Sequence, residues 1–218
     1  PETGYMRGKD SAGDWRDPFA PVAYQGPNSV HGWGDITEGF TMQYTWTVPH
    51  DFGGYVEKAG RKLLQSRLDS LFTIELPEDI PGAHDIWGRI GGYWHGNEPC
   101  HHVTYLYDWF GQPWKCQKWV RYIADNFYGN EPGSLSGNDD CGQMSAWYIF
   151  NCLGFYPFCP GSDEYYIGSP CVPGLKVRLS DGGTLEMTTE GWSKEAVYIK
   201  AAYLNGKRLD SPVIRYSD

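Results

Sequence analysis

The sequence predicts a mainly α fold of paired helices, as in a toroid of helical hairpins, followed by a small antiparallel β unit. Three observations predict it. From Thr37 onward apolar residues recur at helical spacing, interrupted by polar loops rich in Gly and Pro. The triplet Gly111-Gln112-Pro113 stops one helix and starts another, as a helical hairpin requires. Past Pro170 the period falls to two, and Asn205-Gly206 supplies a strong hairpin turn.

The elements follow in order. Residues 1–36 mix Gly, Pro, Asp and aromatics without a sustained period, so they read as a long ordered loop of the kind that lines a site. Thr37-Glu38-Gly39 precedes a helix over 40–46, and Pro49 opens a second that runs to Ala59. Residues 61–72 place Leu64, Leu68 and Leu71 at i, i+4 and i+7, one apolar face of a third helix. Residues 74–97 read as loop. Helices then follow over 98–110, 114–127 and 142–153, the last ending at Gly154. Strands are expected over 175–179, 185–188 and 197–204. The pattern thus predicts mainly helix over 37–153 and mainly strand over 175–216. Two domains are expected, 1–170 and 171–218.

Composition limits function. The 218 residues are 40% hydrophobic and 16% aromatic, with ten Trp and sixteen Tyr, enough for a core and for stacking on pyranose rings. For any single Trp, packing is the default reading. The net charge is −9 and no Lys/Arg run stands out, which excludes a nucleic-acid surface. No apolar stretch approaches the ~20 residues of a membrane helix. The chain begins Pro1-Glu2-Thr3-Gly4 and is expected to be a piece of a longer protein, so it carries no reading on export. Six cysteines lack the CxxC spacing of a zinc site. Cys100 and Cys141 read as small packed thiols; Cys152 and Cys159 form either a bridge across Leu153–Pro157 or a reduced pair.

Two polar strings carry the candidate chemistry: His95-Gly96-Asn97-Glu98-Pro99-Cys100-His101-His102 and Gly137-Asn138-Asp139-Asp140-Cys141-Gly142-Gln143. Each sets carboxylates and amides beside Gly or Pro where a helix begins. Cleavage of a glycosidic bond needs one carboxylic acid to protonate the leaving oxygen and one carboxylate on the other side. Asp139 and Asp140 are candidates, one of them expected to cap the following helix. Glu98 suits the positive end of a helix dipole. Glu38, after the long loop, reads evenly as an exposed acid or a functional one. Asp51 reads as a capping acid beside His50. His101 and His102 diverge by about 100° and lack helical zinc spacing.

These strings, with Thr37-Glu38-Gly39, Gln43-Tyr44-Thr45-Trp46, Val48-Pro49-His50-Asp51, Gly111-Gln112-Pro113-Trp114-Lys115, Gly154-Phe155-Tyr156-Pro157 and Pro160-Gly161-Ser162, closely resemble glycoside hydrolase family 92, the calcium-dependent exo-acting α-mannosidases. The resemblance runs from Gly4 into the β tail. It implies an (α/α)6 catalytic toroid of which residues 1–170 are the second half, with residues 171–218 starting a β-sandwich-like unit. An N-terminal β-sandwich and the first half of the toroid are then missing from this chain. It implies Glu38 as general acid and Asp140 as general base of a single-step inverting hydrolysis of terminal α-linked mannose. Asn97 and Glu98 match the mannose and calcium pocket. Trp46, His50, Asp139 and Gln143, within the same strings, are expected at the substrate. The implied cofactor is Ca2+, the implied partners are mannose-containing glycans such as N-glycans, and the implied location is secreted, periplasmic or cell-surface. Departures are Phe40 and Met42, where relatives tend to have Asn and Trp, Cys100 in place of Ser, and Asn138 where some relatives carry Asp.

Two other classes compete. A non-catalytic carbohydrate-binding module accounts for the aromatic content, and would bind sugar without releasing product. Another toroidal glycosidase or lyase is the third; a lyase leans on Tyr, His or Arg bases, against which the ordered acid motifs argue.

Overall fold

The computed structural model describes residues 3–17, 19–23, 35–78, 80 and 87–217. Contacts divide the chain into two units, Pro1–Cys100 with Ser136–Asn138, and His101–Leu135 with Asp139–Asp218. The division expected at 170/171 is not where the contacts part: one sheet, described below, joins residues on both sides of it.

In the first unit, α1 (Thr41–Tyr44) is a single turn, shorter than the apolar run predicts. The Thr47 hydroxyl donates to the Tyr44 carbonyl at 2.7 Å, and Pro49 restricts the residue before it, so the helix cannot continue. A 3-10 turn over Pro49–Asp51 leads into α2 (Phe52–Ala59). The Asp51 carboxylate accepts the Gly54 N–H at 3.1 Å, the capping role expected of it. α3 (Arg61–Thr73) buries Leu64, Leu68, Leu71 and Phe72 on one face, as its spacing dictates. Within the expected loop 74–97 lies a short hairpin, β1 (Arg89–Ile90) against β2 (Tyr93–Trp94), closed by Gly91-Gly92. It packs on the helices through Phe72 stacked on Tyr93 (5.0 Å) and Phe40 edge-on to Trp94 (4.9 Å). Residues 24–34 of the expected site-lining loop lie outside the described residues.

The stretch 98–110, expected as one helix, is two 3-10 turns (Glu98–Cys100 and Val103–Tyr105) followed by α4 (Leu106–Trp109). Cys100 through Asp108 are all buried. With no solvent face there is no amphipathic period to enforce, and Pro99 and β-branched Val103 and Thr104 weaken a regular helix.

In the second unit, α5 (Pro113–Asn126) starts at Pro113 and buries Cys116, Val120, Ile123 and Ala124. α6 (Gln143–Leu153) ends at Gly154, which adopts φ +87°. Aromatic pairs fill the space around these helices: Tyr105 stacked on Tyr156 (5.2 Å) and Tyr128 on Trp147 (5.9 Å). β3 (Phe155–Pro157), β4 (Glu164–Ile167) and β9 (Val213–Arg215) form an antiparallel sheet in the order β3-β4-β9, so the tail completes a sheet begun before Pro170. The hairpins expected in the tail are present as β5 (Gly174–Arg178) with β6 (Thr184–Thr188), and β7 (Tyr203–Leu204) with β8 (Lys207–Arg208). Asn205 (φ 50°) and Gly206 (φ 77°) make the β7–β8 turn, both in the left-handed region that such a turn demands.

The strand expected over 197–204 shrinks to Tyr203–Leu204. Its backbone is satisfied by side chains instead: Ser169 Oγ donates to the Val197 carbonyl at 2.6 Å, and Gln117 Oε1 accepts the Ile199 N–H at 3.1 Å. Helices with small antiparallel sheets therefore describe the chain. Among the described residues no helix is long and apolar enough to cross a membrane.

Candidate active site

The first unit gathers Glu38, Tyr44, Asn97 and Glu98. Asn97 follows β2 in a tight turn held by its own N–H to the Trp94 carbonyl and by the Cys100 N–H to its carbonyl. The Cys100 thiol lies 2.8 Å from the carbonyl oxygens of both Trp94 and Asn97. Burial pushes that thiol well up, so Cys100 ties the turn together as a donor and does not act as a nucleophile.

Asn97 is 5% exposed, and its amide nitrogen is committed twice: to the Glu38 carbonyl at 3.3 Å and to the Tyr44 hydroxyl at 3.2 Å. That fixes the amide's orientation and leaves Oδ1 as its acceptor face. The same contacts anchor the backbone of Glu38, whose side chain is exposed and makes no hydrogen bond among the described residues. Gly39 permits this approach. It has φ +113°, and a Cβ there would lie 2.3 Å from Gln43 Oε1, the atom that accepts the Phe40 N–H and closes the start of α1.

Burial raises the Tyr44 phenol to about 12; its bond from Asn97 opposes this, while the nearby Cys100, Glu38 and Glu98 charges add to it. Tyr44 therefore remains a neutral hydroxyl with a proton to donate. It was not among the expected site residues, though it lies inside the Gln43-Tyr44-Thr45-Trp46 string. Only the fold shows that its hydroxyl meets Asn97.

In the second unit, the adjacent acids separate in role. Asp139 Oδ1 accepts the Ser145 N–H at 3.0 Å and the Ser145 hydroxyl at 2.9 Å, which makes Asp139 the capping acid of α6. Asp140, Cys141 and Gly142 then take φ +45°, +58° and +94°, three left-handed residues in succession. Two of them carry side chains, a conformation that costs about 1–3 kcal/mol each where it persists and clusters at functional sites. The Asp140 side chain is exposed and makes no hydrogen bond among the described residues.

Gln143, at the first turn of α6, is held by its amide nitrogen, 3.1 Å from His101 Nδ1 and 3.0 Å from the Tyr156 hydroxyl. His101 is 1% exposed, and its carbonyl accepts the Trp147 indole N–H at 3.1 Å. His102 packs edge-on to Phe158. Both imidazoles are buried, and His101 holds the Gln143 amide.

Two further expected substrate residues differ in exposure. Trp46 is fully buried in the first unit's core and presents no ring face to a ligand. His50 is exposed in the 3-10 turn ahead of α2. As for a metal, Asn97 Oδ1 and the Glu98 carboxylate are hard oxygen donors in one turn, which suits calcium and not zinc. Among the described residues no group of three or more His, Cys, Asp and Glu gathers.

The chain was compared with known proteins. The model of the glycosyl hydrolase family 92 catalytic domain matches residues 1–218, which disfavours the binding-module alternative. A family 92 α-mannosidase from Bacteroides thetaiotaomicron, solved in complex with mannoimidazole, is 66% identical over 99% of this chain and 28% of its own, with a TM-score of 0.96. A family 92 inverting mannosidase from the same organism is 34% identical over 98% of this chain and 29% of its own, with a TM-score of 0.79. A protein of Arthroderma benhamiae named an uncharacterized secreted glycosidase is 30% identical over 165 residues, 73% of this chain and 19% of that protein. The chain thus spans under a third of each relative's length.

Proposed function

We propose that this chain, which belongs to glycosyl hydrolase family 92, carries the acid, the base and part of the sugar pocket of an exo-acting α-mannosidase that releases terminal mannose from glycans with inversion. The likeness to an α-mannosidase along nearly the whole chain carries this reading. The rest of that enzyme, an N-terminal β-sandwich and the first half of an (α/α)6 toroid, belongs to the longer protein. Secretion or a periplasmic or cell-surface location goes with the reading, as the name of the Arthroderma relative suggests. N-glycans are the substrate class.

In this reading Glu38 is the general acid that protonates the leaving glycosidic oxygen. Its anchored backbone and unengaged carboxyl suit that role. Asp140 is the general base, taking a proton from the water that attacks the anomeric carbon on the opposite face. The capping of α6 by Asp139 supports this division, because it leaves Asp140 without a structural partner. Asn97 and Tyr44 hold sugar hydroxyls, with Asn97 Oδ1 accepting and the neutral phenol donating. Asn97 and Glu98 would hold calcium, which would supply positive charge beside the sugar hydroxyls.

The test uses the full-length enzyme. Glu38→Gln should abolish hydrolysis of mannobiosides, whose leaving groups need protonation, and spare activated aryl mannosides more. Proton NMR should detect β-mannose as the first product from an α-linked substrate. A chelator should remove activity and calcium restore it. Equal, mild losses on both substrate types in Glu38→Gln would reject the assignment, as would first-formed α-mannose.

A further inference from the structure

In the second unit the penultimate residue of α6, Cys152, meets Cys171 of the segment that follows Pro170, with the two sulfurs 2.9 Å apart. That is well inside ordinary non-bonded contact. Cys159, for which the sequence left a bridge to Cys152 or a reduced pair open, has its thiol 3.6 Å from the Pro160 carbonyl. A bridge from 152 to 159 would have to cross β3, which is committed to pairing with β4, whereas residues 168–171 return along the end of α6.

That return is rigidly held. The Gly168 N–H donates to the Gly154 carbonyl at 2.9 Å, and a Cβ on Gly154 would lie 2.6 Å from the Pro170 ring. Buried Arg121 reaches across from α5, donating to the Pro170 carbonyl at 2.7 Å and to the Ser193 carbonyl at 2.9 Å. Both segments that carry the thiols are thus pinned before any bond forms.

We propose that Cys152 and Cys171 form a disulfide that locks the C-terminal end of α6 to the segment after Pro170. The surroundings also supply the reactivity. The Cys152 thiol is shifted down, first by the hydrogen bond from Cys171, with Tyr148 and the Arg121 charge adding to it and burial opposing. The Cys171 thiol is shifted up, chiefly by the same contact. In the exchange written with Cys152 first, the Cys152 thiolate is the attacker. It displaces one thiolate from a low-molecular-weight disulfide such as oxidised glutathione, forming a mixed disulfide, and its own proton goes to the departing thiolate. Cys171 then attacks the Cys152 sulfur, its proton passing to the second departing thiolate. The two protein thiols lose two electrons, and one oxidant disulfide becomes two thiols. The inference does not depend on the mannosidase reading; the compartment decides only which form is held.

The experiment is peptide mapping of the full-length protein after incubation with oxidised glutathione, unfolding without reductant and alkylation. Cys152 and Cys171 should appear as one linked peptide pair, 2 Da lighter than the sum of the two thiol peptides, while Cys159 is alkylated. Cys171→Ser should leave Cys152 alkylated, and Cys159→Ser should leave the linked pair intact. In the wild-type protein reductant should lower the midpoint of thermal unfolding by several degrees, and in Cys171→Ser it should not. Full alkylation of both Cys152 and Cys171 after oxidation would overturn the proposal, and so would a linked Cys152–Cys159 pair.

Discussion

The Asn97 turn of the first unit and the Asp139-Asp140 loop of the second hold their functional groups by opposite means. Asn97 is buried, both contacts of its amide nitrogen are satisfied, and its neighbour Tyr44 is held neutral by burial. Asp140 is exposed, and what positions it is backbone: a run of left-handed residues terminated by a capped helix. A side chain held by hydrogen bonds can be disturbed by removing a partner. One held by the main chain is disturbed by changing the turn, and its own functional group can be removed at little structural cost. The comparison therefore predicts that chemistry and stability separate in the Asp loop and travel together at Asn97.

The largest expected effect is on chemistry. In the full-length enzyme Asp140→Asn should lower kcat by about 10²–10⁴-fold, the usual worth of a general base, on both aryl and sugar leaving groups. Its urea midpoint should hardly move, because no hydrogen bond among the described residues depends on that carboxylate. A large stability loss with little change in kcat would break the contrast.

Next in size, Asn97→Asp should cost about 1–3 kcal/mol of stability. It replaces a buried double donor by a carboxylate facing the Glu38 carbonyl and the Tyr44 hydroxyl, beside Glu98. Denaturant unfolding measures this, and activity should fall with it. A stable, inactive variant would show that the Asn97 turn behaves like the Asp140 loop.

Asp139→Ala should cost about 1 kcal/mol through loss of the α6 cap and reduce kcat far less than Asp140→Asn does. A kcat loss equal to that of Asp140→Asn without any change in unfolding midpoint would assign chemistry to both acids and dissolve the division between them.

The smallest effect is a pH dependence. The Tyr44 phenol is raised above its unfolded value of 10.0 to about 12, so the neutral form is favoured by folding. Its contribution to stability is complete below pH 10 and is lost as pH rises from 10 toward 12. Comparing stability across that window in wild type and Tyr44→Phe should show a shallower decline in the variant. Identical profiles would remove Tyr44 from the Asn97 cluster.

Legibility from sequence followed the physics of each segment. α3 was readable because it has one buried and one wet face, which writes a 3.6-residue period into Leu64, Leu68 and Leu71, and α5 because Gly111-Gln112-Pro113 marks its start. The β7–β8 turn was readable because Asn205-Gly206 chooses its own backbone angles locally. The buried run from Cys100 to Asp108 was not, since burial on every side erases the period. Nor was the Gly91-Gly92 hairpin, since the two residues of each strand are too few to alternate.

The sequence by itself determined which residue types could serve as acid, base and oxygen ligand, and the motifs that identify the family. Composition and order are local properties, and so are turns and caps. Only the tertiary structure decided that Tyr44 joins Asn97 across 53 residues, that Trp46 faces the core, and that Cys152 meets Cys171 and not Cys159. Each of these depends on which backbone segments return beside one another, and the distance between two side chains is a property of that return, not of either residue.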